Sequence, residues 1–380
     1  MPTVGEVAAA LEAWAPPGSK LDYDRVGLQV GDAAAAATSV LVALDLTPAV
    51  LDEAEATRAD LVVTHHPLLF RPLERLTPDS PTGALALRLA RAGVAYYAIH
   101  TNLDAAPGGV SVALAERLGL ENVRFLAPVE GVVRKLVVFV PRDHARAVHA
   151  ALAGAGAGRI GDYEACAFET PGTGRFRPGP GAHPFVGRAG GPEEAVEEVR
   201  LEVEVARWDL GRAVAAMKEK HPYEEAAYDV YPVEQPATRA GFGAVGDLPA
   251  PEPLSAFLAR VAGRLACDAL RYAGDPAMTV ARAAVCGGAG ADLIARARAA
   301  GADAYVTADL TYHRFFDALA PDGTPQMALV DAGHYETEAH AETLLADFLA
   351  ARFPGLAVRR TAQRTSPVRT FVPPAASSSR

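Results

Sequence analysis

Cysteine is scarce. The 380-residue chain has three, Cys166, Cys267 and Cys286, far apart and without a Cys-x-x-Cys pair. That excludes a disulfide framework and suits a reducing, cytoplasmic setting. Positive charge is thin as well: the formal net charge is -10, and no basic run or stripe interrupts it. Nucleic acid is therefore a poor partner, because no footprint for neutralising phosphates is visible. An acidic average still admits a phosphorylated small molecule where a metal supplies the local positive charge. Long apolar runs are missing, so no segment is expected to span a bilayer. The start, Met1-Pro2-Thr3-Val4-Gly5-Glu6-Val7, lacks the basic head and apolar core of a secretory signal. A serine nucleophile elbow and a P-loop lysine are absent too.

What is present is half hydrophobic and long enough for two or three domains. Val4, Val7, Ala8, Leu11 and Trp14 recur at helical spacing until Pro16-Pro17-Gly18. Strands are expected at Ser39–Leu44, at Leu61–Thr64 and at Val94–Ile99. Helices from Pro48 to Thr57, behind Thr47 as N-cap, and from Thr82 to Ala92 alternate with them. That order argues for a layered α/β domain with a mostly parallel sheet. The middle differs. Strands at Lys135–Val140, Val199–Val205 and Ala227–Val233, with helices at Asp143–Leu152 and Leu210–Lys220, suit a small ferredoxin-like module. A Gly-, Pro- and Arg-rich stretch from Thr170 to Gly191 reads as a long irregular loop inside it.

The third part repeats the first. Ala59-Asp60-Leu61-Val62-Val63-Thr64-His65-His66 matches Ala302-Asp303-Ala304-Tyr305-Val306-Thr307-Ala308-Asp309. The expected fold class is therefore α/β, with two related lobes forming one domain and an α+β module inserted between them. Residues 1–130 form the first lobe, 131–238 the insert, 239–366 the second lobe and 367–380 a flexible tail.

Three expected strand ends carry the chemistry. His65-His66 stops at Pro67, His100-Thr101-Asn102-Leu103-Asp104 follows one apolar run, and Gly333-His334-Tyr335-Glu336-Thr337-Glu338 follows another. Ligands at the carboxyl ends of strands fit the rule for open α/β sheets. Adjacent imidazoles at a strand end can splay around one space and each hold a different ion. His334 and Glu338 share a helical face. Asp104 or Glu338 is the natural bridge between cations, and five ligands leave open positions for water. Two ions about 3.5–4 Å apart would activate water and stabilise charge on a substrate.

Plainer readings exist for each. Asp104 suits a helix N-cap, the His-x-x-x-Glu pair a solvated helix surface, and His100 and His313 either acid–base catalysis or a structural hydrogen bond. Gly287-Gly288-Ala289-Gly290 suits a phosphate cradle less well than tight packing at a βα turn.

Together the stretches Val26–Gly31, Thr64–Pro67, His100–Asp104, Gly174-Arg175-Phe176-Arg177-Pro178, His221-Pro222-Tyr223-Glu224-Glu225, Gly243–Leu248 and Gly333–Glu338 resemble the GTP cyclohydrolase I type 2 homolog family, also called NIF-three-like. The resemblance spans almost the whole chain. It implies a dinuclear site on His65, His66, Asp104, His334 and Glu338, with Glu338 bridging two divalent cations (Zn, Fe or Mn). It implies a toroidal homohexamer built as a trimer of dimers, and a PII/CutA-like insert over Arg134–Val233. It also implies hydrolysis of a nucleotide-like small molecule, by opening of a purine ring with loss of formate. A phosphoesterase at the same site and a non-enzymatic metal-binding scaffold are the alternatives. The chain departs from the family pattern at Tyr23-Asp24-Arg25, where Trp-Asp-Asn is usual, and at Ala308-Asp309, where Gly-Asp is usual.

Overall fold

Short β-branched runs bounded by Gly, Pro and Asp set the strands, and one-sided helices cover them. In the computed structural model, which describes residues 1–234 and 239–371, the strands of the first part are β1 (Gly27–Val30), β2 (Ser39–Ala43), β3 (Leu61–Thr64), β4 (Ala95–Ala98) and β5 (Glu121–Pro128). Then come β6 (Val133–Pro141), β7 (Phe168–Phe176), β8 (Glu194–Ala206) and β9 (Tyr228–Pro232). The last part holds β10 (Gly241–Pro253), β11 (Arg271–Ala273), β12 (Thr279–Ala289), β13 (Ala304–Ala308), β14 (Ala328–Asp331) and β15 (Ala357–Arg360). The chain divides into two units, Met1–Pro128 with Thr238–Arg380, and Val129–Ala237.

The first unit contains two sheets, in the orders β1-β4-β3-β2-β15 and β11-β14-β13-β12-β10-β5. In each, three consecutive strands run parallel (β2, β3, β4 and β12, β13, β14) and an antiparallel edge strand closes one side. The repeated octapeptides thus occupy matching central strands, β3 and β13. Their shared aspartates do the same work. Asp60 Oδ2 accepts from the Thr38 and Ser39 amides, and Asp303 Oδ2 from the Ala281 and Arg282 amides, at the start of β2 and of β12 respectively. β3 is buried along its whole length and sits between two parallel partners, so whatever follows it emerges at the sheet's carboxyl edge.

Helices start where the sequence signals them. Thr3 caps the helix Val4–Trp14 through a capping box with Glu6, and Thr47 Oγ1 accepts from the Val50 amide ahead of Pro48–Ala56. Val4, Val7 and Leu11 are buried against the first sheet's core. The chain leaves for the insert and returns from it at one place: Pro128, the last residue of β5, pairs with Gly241, the first of β10.

The inserted unit has the element order βαββαβ and the antiparallel sheet order β7-β8-β6-β9, the ferredoxin-like arrangement. Two expectations need correction here. The stretch from Thr170 is not all irregular, because as far as Phe176 it belongs to β7, paired antiparallel with β8 from Phe168↔Glu202 to Phe176↔Glu194. β7 is an edge strand with mostly exposed side chains, so it shows no alternation to read. The segment Arg142–His144 is a 3-10 turn, with the α-helix beginning at Ala145.

Thr365 and Ser366 are buried, and Thr365 Oγ1 donates to Asp45. Residues 372–380 lie outside the described residues. Among the described residues no helix is long and apolar enough to cross a membrane, and the three cysteines are free thiols.

Candidate metal centre

Beyond Thr64 the β3 ladder continues for two more amides: His65 N donates to Ala43 O and His66 N to Leu44 O. This fixes the backbone of both histidines before Pro67 turns the chain away. His65 Nδ1 lies 2.9 Å from Ile99 O. A carbonyl only accepts, so Nδ1 carries the hydrogen and Nε2 presents a lone pair. That Nε2 faces Asp104 Oδ1 at 3.6 Å and Glu338 Oε1 at 3.9 Å. Among the described residues, His65 Nε2 and Asp104 Oδ1 are both buried without a hydrogen-bond partner. Two buried acceptors aimed at each other fit a cation between them, since each would otherwise bear an uncompensated desolvation cost of about 1–3 kcal/mol.

His66 and His334 meet on the other carboxylate oxygen. Their Nε2 atoms lie 2.9 and 3.1 Å from Glu338 Oε2. Glu338 thus turns one oxygen toward His65 and the other toward His66 and His334. His334 and Glu338 are the first and last residues of the short helix His334–Glu338 after β14, and one turn brings them together. Asp104 ends the helix Thr101–Asp104 and does not open one, so the N-cap reading does not hold. Ligand-capable atoms of His65, His66 and His100, and those of His66, His334 and Glu338, lie within 4.8 Å of one another. His66 belongs to both groups.

Each imidazole is oriented from behind through Nδ1. Asp45 Oδ1 holds His66 at 2.6 Å, Asp309 Oδ2 holds His334 at 2.8 Å, and Asp24 Oδ1 holds His100 at 2.9 Å. Carboxylates behind histidines fix tautomer and direction, as around bound metals. Sequence reasoning did not assign these roles to Asp24, Asp45 and Asp309. One signal was available for Asp309, which occupies the place of His66 in the repeat. Its φ of 56° is a left-handed conformation that Asp tolerates better than most side chains.

The electrostatics follow from this packing. Burial pushes His65 down to about 4, so it is neutral and ready to ligate. Burial also opposes charge on His66, but its hydrogen bonds to Asp45 and Glu338 prevail and raise it to about 10. The hydrogen bond to Glu338 raises His334 to about 9. Burial would raise Glu338, yet the surrounding imidazoles hold it well below the usual range. Burial and the charge of Glu338 push Asp104 well above it.

The glycine cluster packs against this carboxylate. Gly288 has φ +59°, its amide donates to Thr337 Oγ1, and a Cβ there would fall 2.2 Å from Glu338 Oε1. β12 runs through Ala289, so Gly287 and Gly288 admit Glu338 within the strand, while Gly290 makes the tightly packed βα turn, as N-cap of the 3-10 helix Ala291–Leu293 against Tyr305 and Thr307. His313 is exposed on the 3-10 helix Tyr312–Ala318, beside the rings of Tyr312 and Phe316, and belongs to neither ligand group.

Residues 2–367 match the family model described as Duf34/NIF3 (NGG1p interacting factor 3). The chain is 42% identical over 339 residues to a Mycobacterium tuberculosis protein named GTP cyclohydrolase 1 type 2 homolog, covering 88% of each. It is 40% identical over 331 residues to a Bacillus subtilis protein of the same name, covering 87% of each. A crystal structure of a Bacillus cereus protein related to NIF3 superposes with a TM-score of 0.81 at 36% identity, covering 97% of this chain and 99% of that one. With its fold, its histidine–carboxylate cluster and these matches agreeing, the chain belongs to the Duf34/NIF3 family.

Proposed function

We propose that the chain is a divalent-metal-dependent hydrolase acting on a nucleotide-like small molecule, with a dinuclear site on His65, His66, Asp104, His334 and Glu338. The observation that carries this reading is the pair of buried, unpartnered acceptors, His65 Nε2 and Asp104 Oδ1, 3.6 Å apart. Two divalent cations bound there, of a kind that accepts imidazole and carboxylate such as Zn, Fe or Mn, would supply Lewis acidity and lower the pKa of water.

The chain's own residues do the rest. His100 is the proton carrier in this reading. Asp24 is buried, and hydrogen bonds from His100 and Thr101 hold its carboxyl well below the usual range against the opposing effect of burial. It therefore fixes His100 Nδ1 and leaves Nε2 to take or give a proton. His313 has no such orienting carboxylate among the described residues and is the second candidate for this task. Beside His100 stand two exposed rings. Phe70 lies 6.3 Å from His100, and Tyr23 lies 6.2 Å from Phe70. Exposed aromatic rings beside a polar site suit a planar heterocycle, because every base has a face to stack. This supports a nucleobase-bearing substrate over a simple phosphoester.

Two further parts of the proposal lean on the family resemblance. The inserted unit is PII/CutA-like, supported by its ferredoxin-like strand order. The protein assembles as a homohexamer of 39.6 kDa chains, a trimer of dimers, which its mass in solution checks.

The test of activity is incubation of metal-loaded protein with GTP while following formate and the ring-opened product. Turnover that disappears in Glu338→Ala is the expected result. Turnover no greater than that variant's, with full metal loading, removes the hydrolase reading and leaves the metal-binding scaffold.

A further inference from the structure

We propose that the inserted unit carries its own binding site for a small organic cation, of the quaternary ammonium or alkylguanidinium class, in a cage formed by Phe139, Phe176, Phe185 and Tyr223 around Glu198. This site is independent of the metal cluster. It lies in a cavity of about 380 Å³ within the insert, at the small end of ligand pockets. Two segments of the sequence that the metal chemistry leaves unused meet there: Gly174–Pro178, reaching past the end of β7, and Tyr223–Glu225, after the helix Leu210–Lys220.

The rings surround the space at differing angles. Phe176 and Tyr223 are 5.6 Å apart at 61°, and Phe185 and Tyr223 are 6.2 Å apart at 46°. These rings line one cavity, and one of them, Phe139, already has the Arg200 guanidinium 5.8 Å from its centroid, a cation set over an aromatic ring. Glu198 is buried in the cavity's lining, with Oε1 accepting from the Tyr223 hydroxyl at 2.9 Å. Its placement is built in by Gly174, where a Cβ would fall 2.2 Å from Glu198 Oε2. Any other residue there would displace the carboxylate.

The charge balance selects the ligand class. Glu224, which accepts from the His183 amide, and Glu225 also line the cavity, whereas Arg175, the one basic residue among the described lining, is paired with Glu193 at 3.1 Å, and Arg200 over Phe139 is paired with Glu202 at 2.7 Å. His221, behind Tyr223, is neutral. Its Nδ1 accepts from the Tyr223 amide, so Nε2 carries the hydrogen and donates to Phe139 O. An anion would meet Glu198, Glu224 and Glu225, none of which has an ion-pair partner among the described residues. A neutral apolar ligand would strip water from Glu198 and return nothing. An organic cation satisfies both the rings and the carboxylate.

The experiment uses the full-length, metal-loaded protein. Calorimetry or ligand-observed NMR is run with choline, methylguanidinium, the uncharged choline isostere 3,3-dimethyl-1-butanol, and inorganic phosphate. At least one of the two cations should bind saturably. Loss of the positive charge should weaken binding about tenfold or more, as should Glu198→Gln. Metal content should not change. Phe185→Ala alters a half-exposed ring and tests the same cage should the Glu198 variant fail to fold; it should also weaken binding. The proposal is overturned if neither cation binds saturably at millimolar concentration, if the isostere or phosphate binds as well as the cations, or if a folded Glu198→Gln or Phe185→Ala protein binds like the parent.

Discussion

Asp45 shows how much of the candidate site lies behind its imidazoles. It touches His66 through Nδ1 and is itself held by Thr365, and without it the His66 ring loses its fixed direction. Asp45→Asn should therefore weaken metal binding about 10–100-fold in chelator competition, with the fold unchanged. The His and Glu residues that could hold a metal were legible in the sequence, because adjacent histidines after an apolar run and a His-x-x-x-Glu turn are local patterns. The orienting carboxylates were not. His66–Asp45, His334–Asp309 and His100–Asp24 are separated by 21, 25 and 76 residues, and only the fold makes them neighbours.

Glu342 gives a pH prediction at the same scale, away from the ligands. Burial raises its carboxyl from 4.5 to about 7, although the Leu44 amide donates to it and pulls the other way. The folded chain thus holds this proton more tightly than the unfolded one. Stability from this group is full below pH 4.5 and is lost as pH rises to about 7. Glu342→Gln should flatten that decline in urea midpoints measured on chelated protein, and a slope equal to the parent's would count against it.

At the scale of elements, the matched sheets make a paired prediction. Asp60 and Asp303 each bind two amides at the start of a central parallel strand. Asp60→Ala and Asp303→Ala should each cost about 1–3 kcal/mol in urea unfolding, because each leaves strand-end donors without their partner. A large loss in one and none in the other would show that the likeness is only one of sequence. The parallel strands were readable because they are short buried runs between punctuating Gly, Asp and Pro. β7 was not, since an exposed edge strand buries neither face and carries no period.

At the scale of the whole molecule, Pro128 and Gly241 are paired across β5 and β10, so a short loop can replace everything between them. Replacing Val129–Ala237 with a Gly/Ser linker should leave a folded chain with the parent's metal content, read by circular dichroism and elemental analysis. Loss of folding would mean that the two units depend on each other. The change of pattern in the middle of the chain was readable in the sequence, but the pairing that joins the two ends of this stretch was not, because β5 and β10 are far apart in sequence.

The central claim is that buried acceptors from two lobes are gathered to hold cations. Elemental analysis of purified protein, stripped and then reloaded, tests it most directly. The account predicts two divalent cations per chain, reduced in both His65→Ala and Glu338→Ala while the fold is kept. A folded chain that takes up no stoichiometric metal, or variants that retain the full complement, would contradict it.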